Sequence, residues 1–453
     1  MRIALAVHHF PPRYQGGAEW RAYRTARALM ARGHEARVIA VEHDARFGLA
    51  PAAMDEVFQG VPVRRLGMDV ARLPFRQTFA NRAVGDAVRD FVGAWDAELL
   101  HLIGGYLMTG AVIEAAKDAG LPVVLTLTDF WFLCPRFTLV RAGGALCDVP
   151  ADPMECVLCL SQDKRRFLMP DQLTGGRFGK ALLWAWRSAA ARRLSGVADL
   201  AAGMPERRAY LRRVFGMADW VISPSRFLKD LHEREGFQAE RFVYMRQGLD
   251  VSEWAPHARA PRDPAAPLRI GFAGQVAPHK GVHVLIEAFR ALRGATELFI
   301  YGDLGRFPDY AARLRRMAGA DPRIHFEGQY TRADAGRVLA GLDVLVVPST
   351  WYENSPNSIL EAFVAGTPVV ASDLGGMAEL VAHEVNGLVF PVGDAAALAA
   401  SLQRVVDTPE LLDRFAAALP SVKTVDEEVS ELEDIYRSAI DVDALKVDRV
   451  RYW

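Results

Sequence analysis

Short apolar runs alternate with helical stripes along most of the chain. In the first third, "RIALAVHH", "ARVIAVEH", "VPVRRL", "AELLHLI" and "LPVVLTLTDF" are apolar runs bounded by polar or turn residues. Amphipathic segments such as "AEWRAYRTARALMARGH" lie between several of them. Strands alternating with helices predict a parallel, doubly wound α/β sheet. "APHARAPRDPAAPL" (255–268), rich in Pro, Ala and charge, reads as a linker. After it the pattern restarts with the buried-strand candidates "LRIGFAG", "ATELFIYG", "PRIHFEG" and "LDVLVVPS". Near the end, "TVDEEVSELEDIYRSAI" places apolar residues at 425, 429, 432, 435, 436 and 439, one helical stripe with an acidic opposite face. Such a helix must dock on something. The expected division is 1–262, with a Cys-rich insertion at about 134–160, then 263–420, then a terminal helical segment at 421–453.

Composition narrows the class. A chain of 453 residues exceeds one ordinary core. At 51% apolar and 24% charged it is globular rather than disordered. A formal net charge of −1 provides no global field to recruit nucleic acid. The opening "MRIALAVHHFPP" has too short an apolar run for a secretory signal, and no run of 18 apolar residues exists to span a membrane. The expected compartment is the cytoplasm, where paired disulfides are not the default reading of four cysteines.

Open α/β sheets bind ligands outside the carboxyl ends of their strands, so the loops after strands carry the candidate chemistry. In "HHFPPRYQGGAEW", Gly16 and Gly17 precede a helix and let backbone N–H groups approach an anion; a plain turn reads the same way. In "GQVAPHKGVHVLIEAF", Lys280 stands just before a helix and suits a pyrophosphate, although the P-loop spacing is absent and lone lysines are commonly solvated. In "YENSPNSILEAFVAGTPVV", Ser355 and Pro356 read as an N-cap and first helical residue. The N–H groups of Asn357 and Ser358 can then bind anionic oxygens. Glu361 repels phosphate and suits neutral donors such as a ribose diol; Glu353 similarly suits sugar hydroxyls. The plain alternative is that both acids complement a helix dipole or solvate a face.

"ENSPNSILEAFVAGTPVVAS" resembles the E-x7-E signature of retaining glycosyltransferase family 4, which has the GT-B fold. The Gly16–Gly17 loop, "RGHEARVI", "MADWVISPSRF", "GLD" at 248–250 and "KGVHVLIEAF" match in order, over nearly the whole chain. The resemblance implies two Rossmann-like domains facing a cleft, with the terminal helix crossing back onto the first. It implies a nucleotide-sugar donor held mainly by the second domain, with Glu361 on the ribose, Glu353 facing the donor sugar and Lys280 on the diphosphate. It implies metal-independent, front-face chemistry in which a departing phosphate oxygen serves as base. Two positions depart from the pattern. Gln275 stands where many relatives carry an arginine, and Thr128 stands where many carry a histidine. Asp129 is then the nearest polar group, and His101, at the end of "AELLHLI", is the other catalytic candidate; a histidine there also suits a core or cleft wall.

All four cysteines, Cys134, Cys147, Cys156 and Cys159, fall in "CPRFTLVRAGGALCDVPADPMECVLC". The C-x2-C pair is a usual half of a zinc site, so a structural zinc is expected, with two disulfides or four thiols as the competing readings. Residues 160–230 then hold fourteen Lys/Arg against six Asp/Glu, and "RFGKALLWAWRSAAARRL" mixes tryptophans with arginines. That composition fits either a helix lying in a membrane interface or a core-facing helix with a basic outer face. The expected function is retaining hexosyl transfer from a nucleoside-diphosphate sugar to a glycan or polyprenyl-linked saccharide, by a cytoplasmic enzyme peripheral at the inner membrane. The alternatives are a catalytically silent GT-B glycan-binding or scaffold protein and a nucleotide-sugar epimerase.

Overall fold

The structure is a computed structural model that describes the chain apart from residues 15, 150–151, 252–253, 255–261 and 451–453; for 442–450 it describes the backbone alone. The chain forms two compact units. The first is Met1–Pro224 with Leu228–Met245 and Val425–Trp453; the second is Ser225–Phe227 with Arg246–Thr424. Part of the expected linker, 255–261, lies outside the described residues. The division falls at Arg246, ahead of the expected 262/263, because the intervening segment already bonds to the second unit. The Leu249 N–H donates to the Lys423 carbonyl at 2.8 Å, and Gln247 donates to the Ser355 carbonyl at 3.1 Å.

The first unit holds β1 (Arg2–Val7), β2 (Glu35–His43), β3 (Ala52–Phe58), β4 (Val61–Met68), β5 (Leu99–Ile103), β6 (Val123–Thr126), β7 (Trp220–Ser223) and β8 (Phe242–Tyr244). Their order is β3-β4-β2-β1-β5-β6-β7-β8, parallel except where β3 pairs antiparallel to β4. Sequence order reverses between β1 and β5, the crevice position of doubly wound sheets. The second unit holds β9 (Leu268–Ala273), β10 (Thr296–Tyr301), β11 (Ile324–Gly328), β12 (Val344–Val347), β13 (Val369–Ser372) and β14 (Gly387–Phe390). All pair parallel in the order β11-β10-β9-β12-β13-β14, with its reversal between β9 and β12. Both sheets are covered by helices, which is why their central strands read as unbroken apolar runs.

The terminal helix, Val425–Val450, packs on the first unit as its stripe demands. Val429, Leu432, Ile435, Tyr436 and Ala439 join Ile3, Leu5, Ala26 and Leu29 in one core. Its acidic face pairs with the helix Gly17–Ala31 and the turn after it. Arg21 reaches Glu428 at 2.5 Å with both side chains buried, and His34 reaches Glu433 at 2.7 Å.

Candidate functional site

In the second unit the loops after β9 and β12 meet at the reversal point. Gly281, at φ 71, closes the turn after β9; a Cβ there would lie 1.8 Å from the Pro348 carbonyl oxygen, so only glycine lets the two loops touch. Lys280 and Glu353 join across this contact, Nζ to Oε1 at 2.6 Å. Ser349 Oγ and Trp351 Nε1 donate to the same Oε1 at 2.9 and 2.8 Å. Burial works to raise the Glu353 carboxyl, but the Lys280 ammonium and these donors outweigh it and hold it below the usual range. Oε2 takes no bond from any described residue and is not sealed in the interior. The acid is thus fixed through one oxygen and open at the other.

The helix after β12 runs Asn357–Val364 and starts one residue later than expected: Pro356 is its N-cap, and the fixed proline ring leads into the first turn from an extended conformation. Early N–H groups such as those of Asn357 and Ser358 have no intrahelical acceptor. Asn357 is oriented by Gln247, whose amide donates to its Oδ1 at 2.5 Å. Glu361 lies half-buried in the second turn, with Tyr330 near enough that its charge, after burial, raises the phenol. The loop after β13 closes on the same place. The Gly376 N–H donates to the Glu353 carbonyl at 2.7 Å, and a Cβ on Gly376 would meet the Asn354 oxygen at 1.9 Å. Gln275 stands in the loop after β9, its amide oxygen accepting from Arg306 Nε at 3.1 Å and Nη1 at 2.8 Å. Arg306 comes from the loop after β10 and is exposed. The cation absent at position 275 is therefore present beside it, on a different strand's loop.

In the first unit the groups gather after β1, β5 and β6. Asp129 is half-buried, its Oδ1 accepting from the Trp131 N–H at 2.8 Å. Burial pushes its carboxyl up to about 6, against the Trp131 N–H, the Thr128 hydroxyl and the Arg207 charge. His8, at the end of β1, is held neutral, pushed down to about 3 by burial and then by His9. Its Nδ1 is buried with no hydrogen-bond partner among the described residues, and its Nε2 lies 3.6 Å from Glu19. A Cβ on Gly104 would fall 2.5 Å from Thr128 Oγ1 and 3.6 Å from His8 Nδ1, so the glycine lets these two side chains draw together. Tyr106 packs edge-on to His8 at 5.7 Å, and its phenol is raised by burial and then by Asp129. Gly16 caps the helix Gly17–Ala31 and lies against the Glu19 carboxylate, which lowers the attraction of that N-terminus for an anion.

His101 is a correction. It sits inside β5, 1% exposed, with Nδ1 2.6 Å from Tyr436 Oη and Nε2 2.7 Å from Thr126 Oγ1. Both ring nitrogens are used in the core, so it ties the terminal helix to the sheet and reaches no reacting group. Sequence reasoning passed over His8, Glu19, Tyr106 and Arg306. The doubled histidine after β1 and the "GDLGRF" loop after β10 were the available signals.

Comparison with known proteins agrees with this geometry. Residues 16–248 match the glycosyl transferase 4-like domain, and residues 267–408 match the family described as glycosyl transferases group 1. Glycogen synthase of Mycobacterium tuberculosis is 26% identical over 433 residues, 92% of this chain and 89% of that protein. The amylovoran biosynthesis glycosyltransferase AmsK of Erwinia amylovora is 30% identical over 201 residues, 43% of this chain and 49% of its own. In fold, the Anabaena protein HepE in complex with UDP and glucose superposes with a TM-score of 0.62 at 19% identity, covering 97% of this chain and 100% of that one. Sucrose-phosphate synthase of Thermosynechococcus elongatus gives 0.66 at 18%, covering 98% and 100%. With two α/β units of parallel sheet, and with the 4-like match spanning more than half its length, the chain belongs to the glycosyl transferase 4-like family and is a glycosyltransferase of the GT-B fold.

Proposed function

We propose that this glycosyltransferase moves a hexose, with retained anomeric configuration, from a nucleoside-diphosphate sugar to a glycan or polyprenyl-linked saccharide, without metal assistance. The observation that carries the reading is the half-anchored carboxylate. Glu353 is fixed through Oε1 by three donors and open at Oε2, where a sugar hydroxyl can donate. Around it, Lys280, Arg306 and the N–H groups of Asn357 and Ser358 supply the positive potential that a leaving diphosphate needs. Glu361 takes the ribose hydroxyls. The acids read neutral donors and the cations read the phosphates, with Lys280 also pinning Glu353 through Oε1. HepE, which shares the fold, is solved with UDP-glucose, and this supports a donor of that class. Asp129 is a catalytic candidate from the first unit, with His8 and Tyr106 beside it. Incubating the enzyme with UDP-, GDP- and ADP-hexoses, followed by proton NMR of the first-formed sugar, tests the reading. An axially linked donor should give an axially linked product. An inverted product would exclude retention, and no turnover of any donor would favour the silent glycan-binding alternative.

The acceptor side of the proposal rests on the helices Arg165–Leu173, Arg177–Ala185 and Ala189–Leu194. Trp186 points into their small core and donates through Nε1 to Ser195 Oγ, whereas Trp184 is 72% exposed. Leu173 and Leu194 are 83% and 90% exposed on the same basic segment. Large apolar side chains standing in water among arginines suit an anionic bilayer surface. No helix among the described residues is long and apolar enough to cross a membrane, so contact would be peripheral. Flotation with phosphatidylglycerol vesicles should recover the protein, and neutral vesicles much less; the double change Trp184→Glu and Leu194→Glu should abolish recovery. Equal recovery with both vesicle types would remove the membrane role.

A further inference from the structure

The insertion after β6 brings four distant sulfurs to one place. Cys134 closes a turn, its N–H donating to the Phe130 carbonyl at 2.7 Å. Cys147 follows a small hairpin closed by the Val140–Leu146 bridge, and its N–H donates to the Leu139 carbonyl at 2.8 Å. Cys156 and Cys159 lie three residues apart on the helix Pro153–Ser161, hence on one face. That helix starts where the sequence dictates: Asp152 Oδ1 accepts from the Met154 N–H at 2.7 Å, with Pro153 in the first turn. All four cysteines line a single void of about 20 Å³, room for about one particle the size of a water. None is in a disulfide.

A second observation points the same way. Arg207 is 3% exposed, and its guanidinium donates to the carbonyls of Trp131 and Phe132. No carboxylate among the described residues pairs with it. Burial disfavours its charge most; Cys134 and Cys156, once ionised, would favour it, Asp129 favours it less, and Arg208 opposes. Arg136 and Arg141 also line the void, but Asp163 and Glu155 already answer them, at 2.5 and 2.9 Å. With four neutral thiols the buried Arg207 charge would keep only the weaker attraction of Asp129 and lack a second anion, a costly arrangement. A divalent ion on four thiolates carries a net charge of −2 and supplies that anion.

We propose that Cys134, Cys147, Cys156 and Cys159 hold one structural zinc ion. Among the described residues no three such side chains already stand as a closed ligand set, so the sulfurs must turn about χ1 into the void to reach the ~2.3 Å of a Zn–S bond. Four protein ligands leave no position for water, so the ion braces rather than reacts. It ties the turn following Asp129 to the hairpin and to the first helix of the insertion. This inference stands apart from the transfer reaction, and its readout is metal, not activity.

Elemental analysis of the full chain, purified without added metal, should find about one zinc per chain. Thiol titration in denaturant should count four reactive thiols with a chelator and fewer without it. Cys147→Ser and Cys159→Ser should each lower the zinc content, and chelation of the wild-type protein should speed proteolysis within 134–160. No metal with four reactive thiols would overturn the proposal. So would fewer than four thiols until a reductant is added, which means disulfides, or iron with visible absorption, which means a cluster. Because the first measurement uses unaltered protein, a variant that fails to fold does not protect the idea.

Discussion

Lys280→Ala is expected to damage both folding stability and transfer, and more severely than any surface lysine. Glu353 is buried, and its ionised form depends on the Lys280 ammonium 2.6 Å away. Removing one partner of a buried pair typically costs about 3–5 kcal/mol, because the other charge is left without compensation. Here Ser349 and Trp351 still donate to Oε1, which places the loss toward the lower end of that range. The pH dependence has a definite sign. The folded carboxyl lies below its unfolded value, so the pair's stabilisation is present above the unfolded pKa of roughly 4.3 and fades as pH falls through the lowered folded value. In Lys280→Ala that acid-side loss should be absent, because burial then favours the protonated acid at higher pH. The double variant Lys280→Ala, Glu353→Gln should recover much of the urea midpoint but none of the activity. Transfer should fall by roughly 10²–10³ in kcat/KM in both, as expected when a preorganised group facing developing charge is removed. Arg306→Ala should also lower donor turnover while leaving the midpoint nearly unchanged, since its side chain is exposed. Wild-type stability and turnover in Lys280→Ala would reduce the pair to a surface contact.

The contrast between Lys280 and Arg306 shows what the chain made legible. Lys280, Glu353, Asn357, Ser358 and Glu361 all follow buried parallel strands, and the alternation of apolar runs with helices already places such loops at one edge of a sheet. The structure brings these five to the loops and helix at the β9–β12 reversal. Arg306 obeys the same rule, following the run "ATELFIYG", but beyond the "GDLGRF" loop itself its role depends on Gln275, which belongs to another strand's loop. His101 failed for the opposite reason. Position 101 reads as the end of a strand, but β5 continues to Ile103, pairs Leu5 with His101, and turns the imidazole into the core toward Tyr436. That partner lies 335 residues away, beyond any local pattern. The edge strand β3 was missed because its sequence, AAMDEVF, does not alternate apolar with polar positions, and five of its seven residues are exposed. Of the two tryptophans in the basic insertion, one satisfied each competing reading, Trp186 inside and Trp184 outside. Only packing distinguishes positions two apart at the end of a short helix, Trp184 in its last turn and Trp186 at its C-cap.

Glu361→Ala should weaken nucleotide binding while leaving the fold intact. Glu361 lies in the second turn of the helix Asn357–Val364, so a phosphate at that helix's N-terminus and a ribose at Glu361 sit about one helical turn apart, a spacing of ~5 Å. An ionised acceptor to a hydroxyl contributes about 1.5–3 kcal/mol, which corresponds to roughly a 10- to 150-fold rise in Kd for a nucleoside diphosphate. Glu361→Gln keeps an acceptor without its charge and should fall between. The ribose assignment makes a sharper demand. A 2′,3′-dideoxynucleoside diphosphate should bind the wild-type protein weakly and lose little further in Glu361→Ala, because the contact is already gone. Glu353→Ala should behave differently, barely changing the affinity for the bare nucleotide while reducing turnover of the whole sugar donor, since its open Oε2 has only the sugar to meet. Calorimetric titration of both variants with both ligands separates the two acids. If Glu361→Ala binds the ordinary nucleoside diphosphate as tightly as the wild type, the acid reads no ribose and merely solvates its helix.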